Sequence, residues 1–179
     1  MADKYLLLDR DGVINHDSDA YIKSPDEWLP IQGSLEAITS LYQAGYKIVV
    51  VTNQSGVGRK FYTEADLTAI HTKMCQLVKA AGGEIEHIYY CPHLPDLGCH
   101  CRKPKAGMLQ QFAADTGANM SDIYFIGDSL RDLQAGITAG AKPILVKTGN
   151  GLKTISAHPD LDCPIFENLY DASEFILSE

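Results

Sequence analysis

The chain has 179 residues, 45% of them hydrophobic, enough for one well-buried α/β core and too few for two generous domains. A formal charge of −8 and a pI near 5.1 exclude a surface built to hold nucleic acid or anionic membrane nonspecifically, so any phosphate must be met locally. No apolar segment reaches the ~20 residues that cross a bilayer. Met1-Ala2-Asp3-Lys4 leads into a strand without a secretory pattern, and the expectation is a cytoplasmic monomer.

Tyr5-Leu6-Leu7-Leu8 is an apolar run too short for a helix, and it ends in Asp9-Arg10-Asp11-Gly12. Such a strand delivers two carboxylates to a sheet edge, where one can serve as nucleophile and the other as acid/base. Asp-x-Asp-Gly by itself also suits a capped turn or a calcium loop. Further strands are predicted at Lys47 to Val51, Ile85 to Tyr90, Ile123 to Ile126 and Pro143 to Val146. Ile48-Val49-Val50-Val51 shows no polar alternation, as a central strand covered on both faces requires. Between the strands, Ser34 to Ala44 reads as an amphipathic helix with Ser34 as N-cap and Gly45 as stop. Thr63 and Asp66 form a capping box for a second helix that ends at Gly82-Gly83. Two more helices are predicted from about Gly107 to Thr116 and from about Leu130 to Ala139, stopped by Gly117 and Gly140. Residues 147–164 read as surface loop, followed by a last short strand and a helix from about Leu169 to Leu177. The alternation predicts an α/β fold with a doubly wound, Rossmann-like parallel sheet and helices on both faces.

Four loops after predicted strands carry polar residues that converge in such a fold. They are Asp9 to Asp11, Thr52-Asn53-Gln54-Ser55-Gly56, Arg102-Lys103-Pro104, and Gly127-Asp128-Ser129-Leu130-Arg131-Asp132. Hydroxyl, amides and backbone N–H groups in the second loop suit a phosphoryl group, and the third supplies two cations. Met alone, Thr52 is an ordinary cap, Lys103 a surface charge and Asp128 a turn residue. A separate constellation, Cys91-Pro92-His93 and Cys99-His100-Cys101, offers three thiolates and an imidazole for tetrahedral zinc. With four protein ligands such a site has no open position, so it is structural, bracing the 91–101 loop and the Arg102-Lys103 pair behind it. Alternation turns His100 away. Cys75 and Cys163 are left as inert thiols; His16, His71, His87 and His158 show no partner spacing.

Taken together and in order, the four loops resemble the sequence motifs of the haloacid dehalogenase phosphatase superfamily. The resemblance covers most of the chain and implies one phosphatase domain, 1–179, with a zinc-binding loop at 91–101. It implies that Asp9 attacks phosphorus and that Asp11 protonates the leaving oxygen and then deprotonates water. Thr52 and Lys103 would hold the phosphoryl oxygens. A magnesium ion is implied, held by a carboxylate oxygen of Asp9, the backbone carbonyl of Asp11 and the carboxylate of Asp128, with Asp132 either supporting it through water or capping a helix.

About forty residues separate Asp11 from Thr52, room for a loop, a helix and a strand but for no cap domain. Selectivity then falls to the surrounding loops. Substrate binding is assigned to Asn15, Asp17, Asn53, Gln54, Ser55 and Arg102, with Arg59, Lys60 and Lys147 as further cations for a second anionic group. Asp9-Arg-Asp-Gly-Val-Ile-Asn15, Val51-Thr-Asn-Gln-Ser-Gly56, Tyr89-Tyr-Cys-Pro-His93 and Cys101-Arg-Lys-Pro104 look most like the zinc-containing heptose bisphosphate phosphatases. Histidinol phosphatase is the rival, usually with Asp where Ser55 stands and Leu near Ile14. The loop Asp17-Ser18-Asp19-Ala20-Tyr21 departs from the family's usual Asp-His-Gly-Tyr. A reading of another class is a zinc-stabilised protein that captures phosphorylated ligands without turnover.

Overall fold

The computed structural model describes residues 3–179; the first two residues of the N-terminal reading, Met1 and Ala2, lie outside it. Six parallel strands form one sheet: β1 (Lys4–Leu8), β2 (Tyr46–Asn53), β3 (Ile85–Cys91), β4 (Tyr124–Gly127), β5 (Lys142–Val146) and β6 (Ile165–Phe166). Their spatial order is β3-β2-β1-β4-β5-β6, so the winding reverses direction at β1, and the crevice beyond β1 and β4 is where such sheets bind ligands. The helices are α1 (Ser34–Gln43), α2 (Ser55–Gly58), α3 (Glu64–Ala80), α4 (Gly107–Thr116), α5 (Leu130–Ala139), α6 (Gly151–Ala157) and α7 (Leu169–Ser178).

The period of two along the strands divides the core into two layers. Leu6 and Leu8 of β1, with Ile48 and Val50 of β2, pack against Ile38 and Leu41 of α1, Ile70 and Met74 of α3, and Ile176 of α7. Tyr5, Leu7, Val49 and Val51 face the other way, onto Leu109 and Phe112 of α4 and Ala135 of α5. At roughly 1.5–3 kcal/mol for each large apolar side chain removed from water, the two layers hold the sheet that carries the strand ends.

The sequence reading places most elements within one or two residues, and its departures have physical causes. Strand β2 runs on through Thr52 and Asn53 because both pair with β3, opposite Tyr90 and Cys91. Ser34 is not the N-cap of α1: Gly33, with φ 85°, precedes the helix, and the Ser34 hydroxyl donates to the Val13 carbonyl at 2.9 Å. The capping box at Thr63 and Asp66 forms as expected. Residues 147–164 are not all loop, since α6 lies among them. Its anchors are tertiary. Thr154 Oγ1 donates to the Asp128 carbonyl at 3.1 Å, and a Cβ on Gly151 would stand 1.9 Å from the Val146 carbonyl oxygen. Among the described residues no helix is long and apolar enough to cross a membrane.

Candidate active site

The ends of β1, β2 and β4 and the segment that carries Arg102 and Lys103 meet at one cavity of about 410 Å³, whose walls include Asp9, Asp11, Asn53, Arg102, Lys103 and Asp128. Its floor is an acidic cluster. Asp9 follows β1, Asp128 follows β4 and Asp132 lies in the first turn of α5; one carboxylate oxygen from each falls within 4.8 Å of the others. Gly12 and Gly149 make this approach possible: a Cβ on either would stand 2.1 or 2.2 Å from Asp128 Oδ2, and both have the positive φ that glycine tolerates.

Lys103, 2% exposed, spans the cluster. Its Nζ reaches Asp132 Oδ1 at 2.7 Å, the Val51 carbonyl at 2.8 Å and Asp9 Oδ1 at 3.0 Å. Asp132 is fully engaged, because its other oxygen accepts from Ser129 Oγ at 2.8 Å and from the backbone N–H groups of Asp128 and Ser129 at 3.1 Å. Of the two roles expected for it, these bonds form the capping one: Asp132 caps α5, and it also holds Lys103. Burial acts to raise its carboxyl, but Lys103 and Ser129 outweigh that and hold it below the usual range. Asp9 has no such match. Burial and then the charge of Asp132 push it up to about 7, and burial with the charge of Asp9 pushes Asp128 up to about 8. With Asp132 paired to Lys103, the carboxyls of Asp9 and Asp128 remain side by side, and such an oxygen donor set fits a divalent cation.

Asp11 is prepared differently. Its Oδ1 accepts from Arg10 Nη2 at 2.8 Å, Asn15 Nδ2 at 3.0 Å and Arg10 Nε at 3.3 Å, and Oδ2 accepts from Gln54 Nε2 at 2.8 Å. Burial works to raise Asp11, but Arg10 and these hydrogen bonds lower it overall. Arg10 is fully buried, with Nη1 3.1 Å from His71 Nε2. Burial and then the neighbouring guanidinium drive His71 down to about 3, so it stays a neutral, structural partner.

The residues assigned to substrate divide into two groups. Asp17, Asn53, Gln54, Ser55 and Arg102 line the cavity. Asn15 does not: it is fully buried, with its Nδ2 on Asp11 and on the His16 carbonyl. Asn53 also turns much of its amide inward, donating to the Lys103 carbonyl and accepting from the Lys103 N–H, both at 3.0 Å. Thr52 is 1% exposed, its hydroxyl accepting from Gln54 Nε2 at 2.9 Å. Four contributors escape the sequence reading: Arg10, Tyr62, Arg131 and Asn150. Arg131 lines the cavity beside Arg59 and Arg102; burial and then the charge of Arg131 lower the Arg102 pKa. Arg102 Nη1 is buried with no protein partner among the described residues, a donor suited to an anion. Asn150 gives its backbone N–H to Asp128 Oδ2 at 2.8 Å and its side-chain amide to Asp17 Oδ2 at 3.1 Å. The signal for Arg10 and Arg131 was their place beside the acids; nothing local marks Tyr62 or Asn150.

Beyond the cavity, Cys91, His93, Cys99 and Cys101 converge as expected. His93 Nδ1 lies 3.1 Å from Cys101 Sγ, and Cys91 Sγ lies 3.0 Å from Cys101 Sγ and 3.7 Å from Cys99 Sγ. Burial pushes Cys91 up to about 12. Cys99 is pulled down to about 6, the Arg102 N–H and its neighbours overcoming desolvation. Three thiols and an imidazole at one point fit zinc. The cluster is tied to the site, since the Cys91 carbonyl accepts from the Gln54 N–H at 2.7 Å. Exposed His100 takes no part.

Residues 6–141 match a family model described as Polynucleotide kinase 3 phosphatase. A protein of Neisseria meningitidis serogroup A named D-glycero-beta-D-manno-heptose-1,7-bisphosphate 7-phosphatase is 49% identical over 98% of this chain and 96% of its own. The crystal structure of the D,D-heptose 1,7-bisphosphate phosphatase of B. bronchiseptica, complexed with magnesium and phosphate, superposes with a TM-score of 0.95 at 47% identity, covering 98% of each chain. A putative HAD-like phosphatase from Mesorhizobium loti gives a TM-score of 0.73 at 32% identity over 81% of this chain and 73% of that one. The chain belongs to the haloacid dehalogenase superfamily, within the family of heptose bisphosphate phosphatases.

Proposed function

We propose that this chain is a magnesium-dependent phosphatase, one domain over residues 1–179, that removes the 7-phosphate of D-glycero-D-manno-heptose 1,7-bisphosphate through an aspartyl-phosphate. The observation that carries the reading is the different treatment of the two acids after β1. Asp9 Oδ1 is held by Lys103 at 3.0 Å and by the Arg10 N–H at 2.8 Å, which leaves Oδ2 without a protein donor among the described residues and free to act as nucleophile. Asp11 lines the same cavity, and the donors around it favour its carboxylate, the form that takes a proton from water once it has protonated the leaving oxygen.

Asp9, Asp128 and the Asp11 carbonyl would hold magnesium, which supplies positive charge against the phosphate dianion. Lys103 and the Thr52 hydroxyl serve the phosphoryl oxygens. Arg59, Arg102 and Arg131 group cations in a wall that also carries the aspartates, a place for a second phosphate that a substrate with a single anionic group would leave unused. The similarity to proteins named for the heptose bisphosphate supports the same substrate and sets histidinol phosphate aside. Product use in nucleotide-activated heptose synthesis, a cytoplasmic setting, a monomer, and no nucleic-acid or membrane partner complete the reading.

Magnesium-dependent phosphate release from heptose 1,7-bisphosphate and from histidinol phosphate tests it directly. The expected result is a kcat/KM preference of about 10²-fold or more for the sugar, with the 1-phosphate retained. Asp9→Asn should lower kcat by at least about 10³-fold while the fold persists. Unchanged turnover in Asp9→Asn would sink the covalent mechanism, and phosphate capture without release would favour the binding-protein reading.

A further inference from the structure

The donors around Asp11 are unequally shared between its two oxygens. Oδ1 takes three, from Arg10 Nη2, Arg10 Nε and Asn15 Nδ2, and is saturated. Oδ2 takes one, from Gln54 Nε2 at 2.8 Å, and Asp11 lines the cavity. A carboxylate oxygen has about two acceptor directions, so Oδ2 keeps one for the reacting oxygen. Gln54 in turn is spent inside the protein. Its Nε2 hydrogens go to Asp11 Oδ2 and to Thr52 Oγ1 at 2.9 Å, and its Oε1 accepts from the Tyr62 hydroxyl at 2.6 Å. Gln54 is 3% exposed and Tyr62 5%, and the Tyr62 ring packs so tightly on Gly56 that a Cβ there would lie 2.2 Å from Cε1.

We infer that Tyr62 and Gln54 are positioning residues for proton transfer: Tyr62 locks the Gln54 amide so that Asp11 exchanges its proton at Oδ2, toward the cavity. This rests on the aspartyl-phosphate reading given above. An amide is free to turn over, and its carbonyl facing a protonated Oδ2 would accept a hydrogen bond from that O–H and draw the proton away from the substrate. Turning Gln54 would leave the buried Tyr62 hydroxyl hydrogen without an acceptor, which burial penalises. The lock therefore keeps N–H toward Oδ2, and the proton carried there points into the cavity.

The proton balance is simple. Asp9 Oδ2 forms a bond to phosphorus as the ester P–O bond breaks, its electron pair goes to the leaving oxygen, and that oxygen takes the proton from Asp11 Oδ2. Asp11, now a carboxylate, takes a proton from water as the water oxygen attacks phosphorus and the bond from phosphorus to Asp9 breaks. Asp9 returns as carboxylate and inorganic phosphate leaves. Only the first step depends on the acidity of the leaving group, because a phenolate such as p-nitrophenolate departs without a proton and a sugar alkoxide does not.

The test is rapid-mixing kinetics on zinc-replete, magnesium-saturated wild type and Tyr62→Phe, with heptose 1,7-bisphosphate and with p-nitrophenyl phosphate. The first-turnover rate for the sugar should fall about 10- to 100-fold, with the p-nitrophenolate burst within about threefold of wild type. Sugar KM should stay unchanged. The solvent deuterium isotope effect on the first sugar turnover should grow in Tyr62→Phe, which a packing defect alone would not cause. Equal slowing of both substrates, or no slowing of either, would overturn the lock while leaving the parent reading intact. A wild-type protein with no p-nitrophenolate burst and no release from the sugar would overturn both.

Discussion

Two ligand clusters stand at the same end of the sheet and are built on opposite plans. The thiol-imidazole cluster draws Cys91, His93, Cys99 and Cys101 from the end of β3 and the loop that follows it, one continuous stretch, and its four ligand atoms close on one another. The carboxylate cluster draws Asp9, Asp128 and Asp132 from the ends of β1 and β4 and the start of α5, and it exists only once the sheet is assembled. It also carries its own cation, Lys103, and opens onto the cavity. A site made by local spacing can fill every metal position with protein, as a structural zinc site does. One made by the whole fold brings acids together against their own repulsion and leaves room for substrate. Lys103 joins the two, since the loop that ends at Cys101 delivers it two residues later.

Breaking that junction should have the largest effect. Lys103→Met keeps the volume and removes the ammonium that meets Asp132 at 2.7 Å and Asp9 at 3.0 Å. Removing one partner of a buried charge network leaves the other uncompensated, so metal-free protein should lose about 3–5 kcal/mol in urea unfolding. Added magnesium should restore part of that stability. Equal stability of the variant and wild type without metal would show that the acids are already neutralised by protons.

Zinc removal should act on one side of the comparison and leave the other standing. The backbone N–H of Gln54 hangs on the Cys91 carbonyl, and Lys105 Nζ donates to the Cys99 carbonyl at 2.7 Å. With the metal chelated, turnover should fall about tenfold through displaced Lys103 and Gln54, in the range of other outer-sphere losses at metal sites. Amide exchange should speed up within 91–101, while β1 and β2, buried in both layers, stay protected. Loss of protection throughout the sheet would mean that the zinc loop nucleates the core rather than bracing one edge.

The same contrast explains what could be read from the chain. Apolar runs such as Leu6-Leu7-Leu8 and Ile48-Val49-Val50-Val51 encode strands because their faces are set by period. The Thr63–Asp66 box and the Cys91–Cys101 ligands are legible because their partners lie within one turn or one loop. Polar partners across the fold have no period. Asn15 reads as a substrate contact and instead fixes Asp11; Asn53 reads the same way and clasps the backbone of Lys103, fifty positions on. Helix α6 reads as loop because its anchors, Thr154 on the Asp128 carbonyl and Gly151 beneath Val146, are tertiary contacts rather than an amphipathic stripe. Asp132 shows the limit most clearly, since capping and metal support require the same residue at the same spacing, and its bonds to Ser129 and Lys103 appear only in the folded chain.

The smallest expected effect tests whether the α6 segment tunes the carboxylate cluster or only covers it. Asn150→Ala retains the backbone N–H that meets Asp128 Oδ2 at 2.8 Å. It removes a long 3.4 Å side-chain contact to the same oxygen and the 3.1 Å bond to Asp17. Because the shorter of the two bonds to Asp128 survives, magnesium affinity should weaken by about threefold to tenfold, at the low end for residues that orient metal ligands. At saturating magnesium, kcat should stay within about twofold, since Asp9, Asp11 and Lys103 keep all their partners. Titrating magnesium against initial rate separates these quantities. A fall in kcat that magnesium does not rescue would move Asn150 from the support of Asp128 to the substrate itself, through the Asp17 loop that lines the cavity.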